Sequence, residues 1–213
     1  MKEQALKDAL VHLIGFEVIG IRQPTIGFPI PVQLDFESME VIPAVRKVVL
    51  DLIFANVDPK SFGVVAASRH GCRSLAPLVA NHFSLPFLLS ETLPTKNGEV
   101  IDLYGKSKVR PRVLLIQEFA SDGKDVETMA HVLSMAGYSL ATLFVLFHAD
   151  CELELCQAVS RVNGGVEVKM LFPLSMVLRV LRDDPDFSQL INLDLERVFD
   201  HYIQYLRNRD SQS

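Results

Sequence analysis

Cysteine is scarce: the 213 residues contain three, Cys72, Cys151 and Cys156, and no CxxC pair. Three cysteines cannot all pair with one another, and without CxxC spacing a zinc knuckle is not expected, so the usage fits a reducing compartment. Long apolar runs are also missing. The longest uninterrupted one, Leu143 to Phe147, falls far short of the about 20 residues a membrane helix needs. The start, Met1 to Lys7, carries an acid and no apolar stretch, so no secretory signal is expected. There is no basic excess: 21 Lys and Arg stand against 26 Asp and Glu, for a net charge of −5, which argues against a general nucleic-acid binder. Walker-lysine, GxGxxG and GxSxG signatures are absent, so none of those chemistries is indicated. The expectation is a soluble cytoplasmic protein with neither a nucleic-acid nor a membrane partner.

What is present reads as an ordinary globular chain, 49% hydrophobic and 22% charged, long enough to bury a core without disulfides or structural metal. Four short apolar runs, Phe62 to Ala67, Val113 to Ile116, Leu140 to Phe147 and Val166 to Phe172, predict buried parallel strands, apolar on both faces. Helical patterns alternate with them: Lys2 to Ile14, Val41 to Ala55 with Pro43 in its first turn, Arg73 to Phe83, Asp125 to Ala136 with Gly137 as its stop, and Cys151 to Val162. That alternation predicts an α/β fold with a doubly wound sheet. Leu190 to Leu206 is amphipathic and is expected to pack on the sheet or on a partner subunit. Gln23 to Pro31 is rich in Pro and Gly, and Glu91 to Lys108 is polar and long; both read as loops. His82, His131, His148 and His201 fall inside helix or strand patterns and read as structural.

In open α/β sheets ligands bind beyond the carboxyl ends of strands, at helix N-termini. Two strand ends carry suitable residues. After the first strand comes Ser68-Arg69-His70-Gly71-Cys72-Arg73, a small basic turn. It reads either as a cradle for phosphate or pyrophosphate through Arg69, His70 and Arg73, or as a solvated turn with incidental charge. After the second comes Gln117-Glu118-Phe119-Ala120-Ser121-Asp122-Gly123-Lys124-Asp125. Its polar turn can hold a phosphate on backbone N–H groups. Alternatively Ser121 or Asp122 caps the helix and Glu118 is solvated.

These residues resemble the type I phosphoribosyltransferases, and within them the orotate phosphoribosyltransferase family. Val113 to Gly123 is similar to the family's phosphoribosyl-diphosphate motif, a hydrophobic run, two acids and a Thr-Thr-(Asp)-Gly-Gly turn. Val64 to Arg73 resembles its pyrophosphate loop. Leu85-Pro86 and the segment after it resemble the lead into the catalytic hood. Thr25 to Asp35 resembles the N-terminal Thr-Ser-Gly-x-x-Ser-Pro-x-Tyr-x-Asp pattern, with Pro43 and Arg46 in the following helix. The resemblance runs in order over roughly residues 5–190. It implies a phosphoribosyltransferase-like domain spanning 1–213, with hood elements in 1–40, an α/β core in 41–180 and a terminal helix in 185–207.

The resemblance also implies an activity: phosphoribosyl transfer from phosphoribosyl diphosphate to orotate, giving orotidine monophosphate and pyrophosphate. It assigns catalysis to Glu118 and Lys96. Phosphate and ribose fall to Gln117, Glu118, Ala120, Ser121, Asp122, Gly123, Lys124 and Asp125, and pyrophosphate to Arg69, His70, Gly71 and Arg73. Mg²⁺ would arrive on phosphoribosyl diphosphate, with no direct protein ligand, and the chain would form a homodimer whose polar 91–108 segment completes the neighbour's site. Departures from the pattern fall on the chemistry. The acidic pair is Gln117-Glu118, the second glycine is Lys124, and Glu91-Thr92 stand where an Arg-Lys pair belongs. Lys96-Asn97-Gly98 lacks the hood histidine, and Ile26 and Ile30 replace two serines. Each missing charge-assisted contact is worth about 1.5–3 kcal/mol. The family reaction is therefore expected to be weak or lost, and a non-catalytic relative that binds a nucleotide or phosphorylated sugar is the alternative.

Overall fold

The computed structural model describes residues 3–15, 19–21, 32–35, 41–68, 72–95, 98–105, 112–121, 123–162, 164–183 and 195–210. Among these residues the helices are α1 (Glu3–Gly15), α2 (Pro43–Asn56), α3 (Leu75–His82), α4 (Lys124–Met135), α5 (Glu152–Val162), α6 (Leu174–Asp183) and α7 (Leu195–Asp210). The strands are β1 (Ile19–Ile21), β2 (Val32–Leu34), β3 (Val64–Ser68), β4 (Phe87–Thr95), β5 (Gly98–Tyr104), β6 (Arg112–Ala120), β7 (Ser139–His148) and β8 (Glu167–Pro173). β1 and β2 form a small antiparallel pair, and the other six build one sheet in the order β5-β4-β3-β6-β7-β8. Every neighbouring pair from β4 to β8 is parallel, and β5 alone runs antiparallel, on the edge.

The strand period of two explains the layers. Val65, Ala67, Leu114, Ile116 and Phe144 face one side, where they pack with α1, α2, α3, α6 and α7. Val64, Ala66, Val113, Leu115, Leu143 and Val145 face the other, where α4 and α5 cover them. Two covered faces account for the continuous apolar runs of β3, β6 and β7. β8 differs from the expectation of full burial: its first four residues are exposed or half-buried, because only β7 flanks it. α4 ends as its sequence predicts. Gly137 has φ +82°, its N–H bonds to Ser134 O, and Tyr138 N–H reaches back to Leu133 O, a Schellman closure. α7 covers the expected terminal helix from Leu195 onward, and its Val198 and Tyr202 join the sheet's core.

One expectation is overturned. The polar segment after Glu91 is not a long loop through to Lys108. Residues 87–95 and 98–104 are β4 and β5, paired in an antiparallel hairpin from Leu89↔Tyr104 to Thr95↔Gly98. The sequence carries the signal in Asn97-Gly98, a tight-hairpin dipeptide followed by Val100, Ile101, Leu103 and Tyr104, residue types favoured in strands. A sheet edge tolerates polar residues, so composition alone misleads there.

Candidate functional site

Chain connectivity places the site. β3 and β6 are adjacent and parallel, but β3 is followed in the sheet by β4 on one side and β6 by β7 on the other. Loops leaving two such strands diverge and open a crevice at their carboxyl ends. The strands are also unequal in reach. The last register pair is Ala67↔Ile116; β3 stops at Ser68, whereas β6 continues to Ala120. Gln117 to Ala120 thus extend past the last β3–β6 pair.

Glu118 lies on the α3 face, two residues on from Ile116, and is 4% exposed. Its Oε1 accepts the N–H of Cys72 at 2.5 Å. Cys72 is itself buried and left-handed, with φ +55°, and its carbonyl takes the first helical bond of α3, from Ala76 N–H. A carboxylate at the head of a helix is favoured by the local dipole. The structure therefore corrects the solvated reading of Glu118: its carboxyl group is buried at the approach to α3. Gln117 points the other way, on the α4 face with Val113 and Leu115, and is 5% exposed. Its Oε1 is buried with no hydrogen-bond partner among the described residues, a condition that costs about 1–3 kcal/mol unless something donates to it.

Beyond Ala120 the chain turns into α4. Gly123 occupies the N-cap with φ +83°, and among the described residues no side-chain cap is formed. A Cβ there would lie 3.1 Å from Ala158 Cβ and 3.3 Å from Glu154 O. Glycine is thus required twice over, by dihedral and by the close approach to α5. The expectation that Ser121 caps α4 does not hold; Ser121 is exposed on the turn, as are Lys124 and Asp125. The start of the turn is clamped from the β7 side, where Ala120 O accepts Ala149 N–H at 2.9 Å and Cys151 Sγ–H at 3.4 Å.

The end of β6 and the turn into α4 carry Gln117, Glu118, Ala120, Ser121, Gly123, Lys124 and Asp125, with Gln117 and Glu118 on opposite faces of the strand, and Arg73 is exposed in the turn before α3. Lys96, Arg69, His70, Gly71 and Asp122 lie outside the described residues. For Mg²⁺ the donor set at the end of β6 is a poor match. Hard divalent cations need several oxygen ligands with carboxylate charge, and here one side chain is a neutral amide and the other already holds the Cys72 N–H. Among the described residues no three His, Cys, Asp or Glu side chains gather into a metal-binding group.

Next to Ala120 in the sheet is His148, 1% exposed, with Nε2 3.6 Å from Glu152 and Nδ1 unpartnered among the described residues. Burial pushes its pKa below the ordinary histidine value of 6.5, and the nearby Glu152 and Asp150 charges only partly offset this. The folded state therefore prefers neutral imidazole. The stability this preference contributes is present above about pH 6.5 and is lost as pH falls from there toward the lowered folded value. The melting temperature should drop between about pH 7 and pH 5, and His148→Gln should flatten that part of the profile. Identical pH profiles for the two proteins would refute the assignment.

Sequence reasoning located the two loops but missed the side chains that organise them. The Cys72 N–H donor is a backbone group 46 residues from Glu118, and no side-chain pattern marks it. Asp150, which anchors α6 and α7 from the end of β7, had only its position at a strand end to signal it.

No protein-family model matches the chain. It is 24% identical over 183 residues to the orotate phosphoribosyltransferase of Allorhizobium ampelinum, covering 84% of this chain and 79% of that protein. Among solved structures, orotate phosphoribosyltransferase from Aeropyrum pernix superposes with a TM-score of 0.70 at 19% identity, over 81% of this chain and 97% of that one. Adenine phosphoribosyltransferase from Trypanosoma brucei, solved with AMP, pyrophosphate and ribose-5-phosphate, gives 0.58 at 14% identity over 80% of each chain. The chain has the type I phosphoribosyltransferase fold and, along most of its length, is similar in sequence to orotate phosphoribosyltransferases, from which it diverges strongly.

Proposed function

We propose that this chain binds the 5′-phosphate of a phosphoribosyl ligand in the turn from Ala120 to Asp125. On this reading it is an orotate-phosphoribosyltransferase-like protein whose family reaction, orotate with phosphoribosyl diphosphate to orotidine monophosphate and pyrophosphate, is weak or lost. The observation that carries the reading is the head of α4, opened by a left-handed Gly123, at the point where the sheet's connections diverge. Backbone N–H groups there receive an anion from the open side of the crevice. Similarity to enzymes of this name supports the ligand class. Mg²⁺ carried on the substrate, a homodimer and a cytoplasmic setting belong to the same proposal.

A second reading, a non-catalytic relative that senses a nucleotide or phosphorylated sugar, is favoured by one observation. The position that supplies an acid in the family motif is Gln117, and the acid that remains, Glu118, is committed to Cys72.

Thermal denaturation tests the phosphate turn. Each tenfold excess of ligand over its dissociation constant adds about 1.4 kcal/mol, or about 3–5 °C for a chain of this size. Ribose 5-phosphate should give such a rise. Ser121→Asp, an exposed substitution that puts a negative charge in the turn, should remove it. Gly123→Val is unsuitable as the probe, since its side chain meets Ala158 and damages the fold directly. No shift with ribose 5-phosphate or phosphoribosyl diphosphate at millimolar concentration would refute the reading.

A further inference from the structure

We infer that β8 is an association edge, where a second copy of this chain adds its own β8 antiparallel and joins the two sheets into one. The inference does not depend on the phosphate turn. It concerns the edge opposite the β4–β5 hairpin, so the contact is separate from a homodimer in which residues 91–108 complete the neighbour's site.

Three observations carry it. β8 ends the sheet: β7 pairs along one side of it, and among the described residues no strand lies on the other. The edge is also open to approach. The side chains of Glu167 and Lys169 are 44% and 37% exposed. The turn leading in is exposed at Gly164 and Gly165, and among the described residues an added Cβ at either would meet nothing within 4 Å. The third observation is the order of charges. Glu167 and Lys169 share one face of the strand and are paired with each other at 2.7 Å. Val168 and Met170, with Val166 just before the strand, lie half-buried against the cluster that α4 and α5 cover.

Charges on an edge strand commonly prevent pairing. A strand with one charge of each sign, two residues apart, instead repels its own copy in some registers and attracts it in one. A two-fold axis through Val168, normal to the sheet, sets Glu167 opposite Lys169 of the second copy, and Lys169 opposite the Glu167 of that copy. The same register sets Val166 against Met170 and Val168 against itself, apolar against apolar. An axis through Glu167 or through Lys169 would set like charges directly opposite. Opposite charges on facing strands stabilise the pairing and like charges oppose it, so the charge order selects the register centred on Val168. The complementarity is internal to the strand, which is why the occupant is a second copy. The contact is one strand wide and belongs to the weak class of interfaces.

Sedimentation velocity on the intact chain, from micromolar to near-millimolar concentration, reads the association. Wild type should associate as concentration rises. Glu167→Lys, an exposed substitution that turns both cross-copy pairs into repulsions, should weaken this step about ten- to a hundredfold. Combining Glu167→Lys with Lys169→Glu exchanges the charges and should restore it. Oxidation reads the register, in a Cys156→Ser background that removes the exposed native thiol. Val168→Cys should give a disulfide-linked dimer, since facing residues on antiparallel strands have Cα atoms about 4.5–5.5 Å apart. Lys169→Cys should not, because its two copies would be offset along the strands and roughly 8 Å apart. The inference is overturned if wild type shows no association that Glu167→Lys weakens, or if the charge exchange fails to restore it. Cross-linking of Lys169→Cys as readily as Val168→Cys overturns it as well. A dimer formed elsewhere keeps its mass in Glu167→Lys, so that variant tells the two contacts apart.

Discussion

Orotate phosphoribosyl transfer by this chain is expected at about 10⁻³ per second or slower, on the order of 10⁴ below a typical enzyme turnover of about 10 per second. The transition state of the reaction is oxocarbenium-like and its leaving group carries several negative charges. Catalysis therefore depends on groups that hold ribose hydroxyls and neutralise pyrophosphate. At the end of β6 the first acid of the motif is Gln117, which contributes no charge, and the second, Glu118, is turned toward Cys72 N–H and away from solvent. At the Arg-Lys position of the family pattern β4 carries Glu91 and Thr92. A donor or charge that acts on the transition state is worth about 10²–10³ in rate, so losing two gives the stated deficit. The lost interactions act on the transition state as well as on binding, so saturating substrate should not restore the rate. Gln117→Asp, Glu91→Arg and Thr92→Lys together should raise turnover, with the gain appearing in kcat. A wild-type turnover in the range of about 1–10³ per second would show that Glu118 and the remaining cations suffice.

The pattern of apolar residues carried most of the architecture. β3, β6 and β7 are covered on both faces, and each carries a hydrophobic run in the sequence, because the side chains of those runs pack beneath helices on one face or the other. β8 and the β4–β5 hairpin lie at or near the sheet's edges, where burial no longer dictates composition and the pattern fades. In the site, the position of each loop was legible, since a strand followed by a short polar turn and a helix is a local pattern. The pairing of Glu118 with Cys72 was not. It depends on a left-handed backbone angle at Cys72 and on two strands becoming neighbours, neither of which residue type reports. The same holds for Gln117. An amide in an apolar strand signals something unusual, but that its oxygen is buried without a partner among the described residues follows only from packing.

Asp150→Ala is expected to lower stability by about 2–4 kcal/mol, the sum of several hydrogen bonds to one charged group. Asp150 closes β7 in a left-handed conformation, φ +49°, which aspartate tolerates better than most residues. Its Oδ2 accepts the Ser175 N–H at 3.0 Å and the Tyr202 hydroxyl at 2.9 Å, and its Oδ1 accepts the Ser175 hydroxyl. Ser175 is in the first turn of α6, so the carboxylate caps that helix from a distant part of the chain and lies at its positive end. Tyr202, with no exposed surface, is fastened to the same group, so one residue holds the end of β7, α6 and α7 together. Truncation leaves buried donors without acceptors, which costs more than the bonds themselves contribute. The drop corresponds to roughly 6–12 °C in melting temperature for a chain of this size. Tyr202→Phe removes one donor and no packing, and should cost only about 1 kcal/mol. In the double variant that cost should nearly vanish, because the acceptor has already gone. Neighbouring Ala149 and Cys151 both bond to Ala120 O, so loosening Asp150 should also speed hydrogen exchange in the turn that begins there. A loss for Asp150→Ala of less than about 0.5 kcal/mol, the range of ordinary surface substitutions, would mean that the terminal helix is held by its apolar face alone.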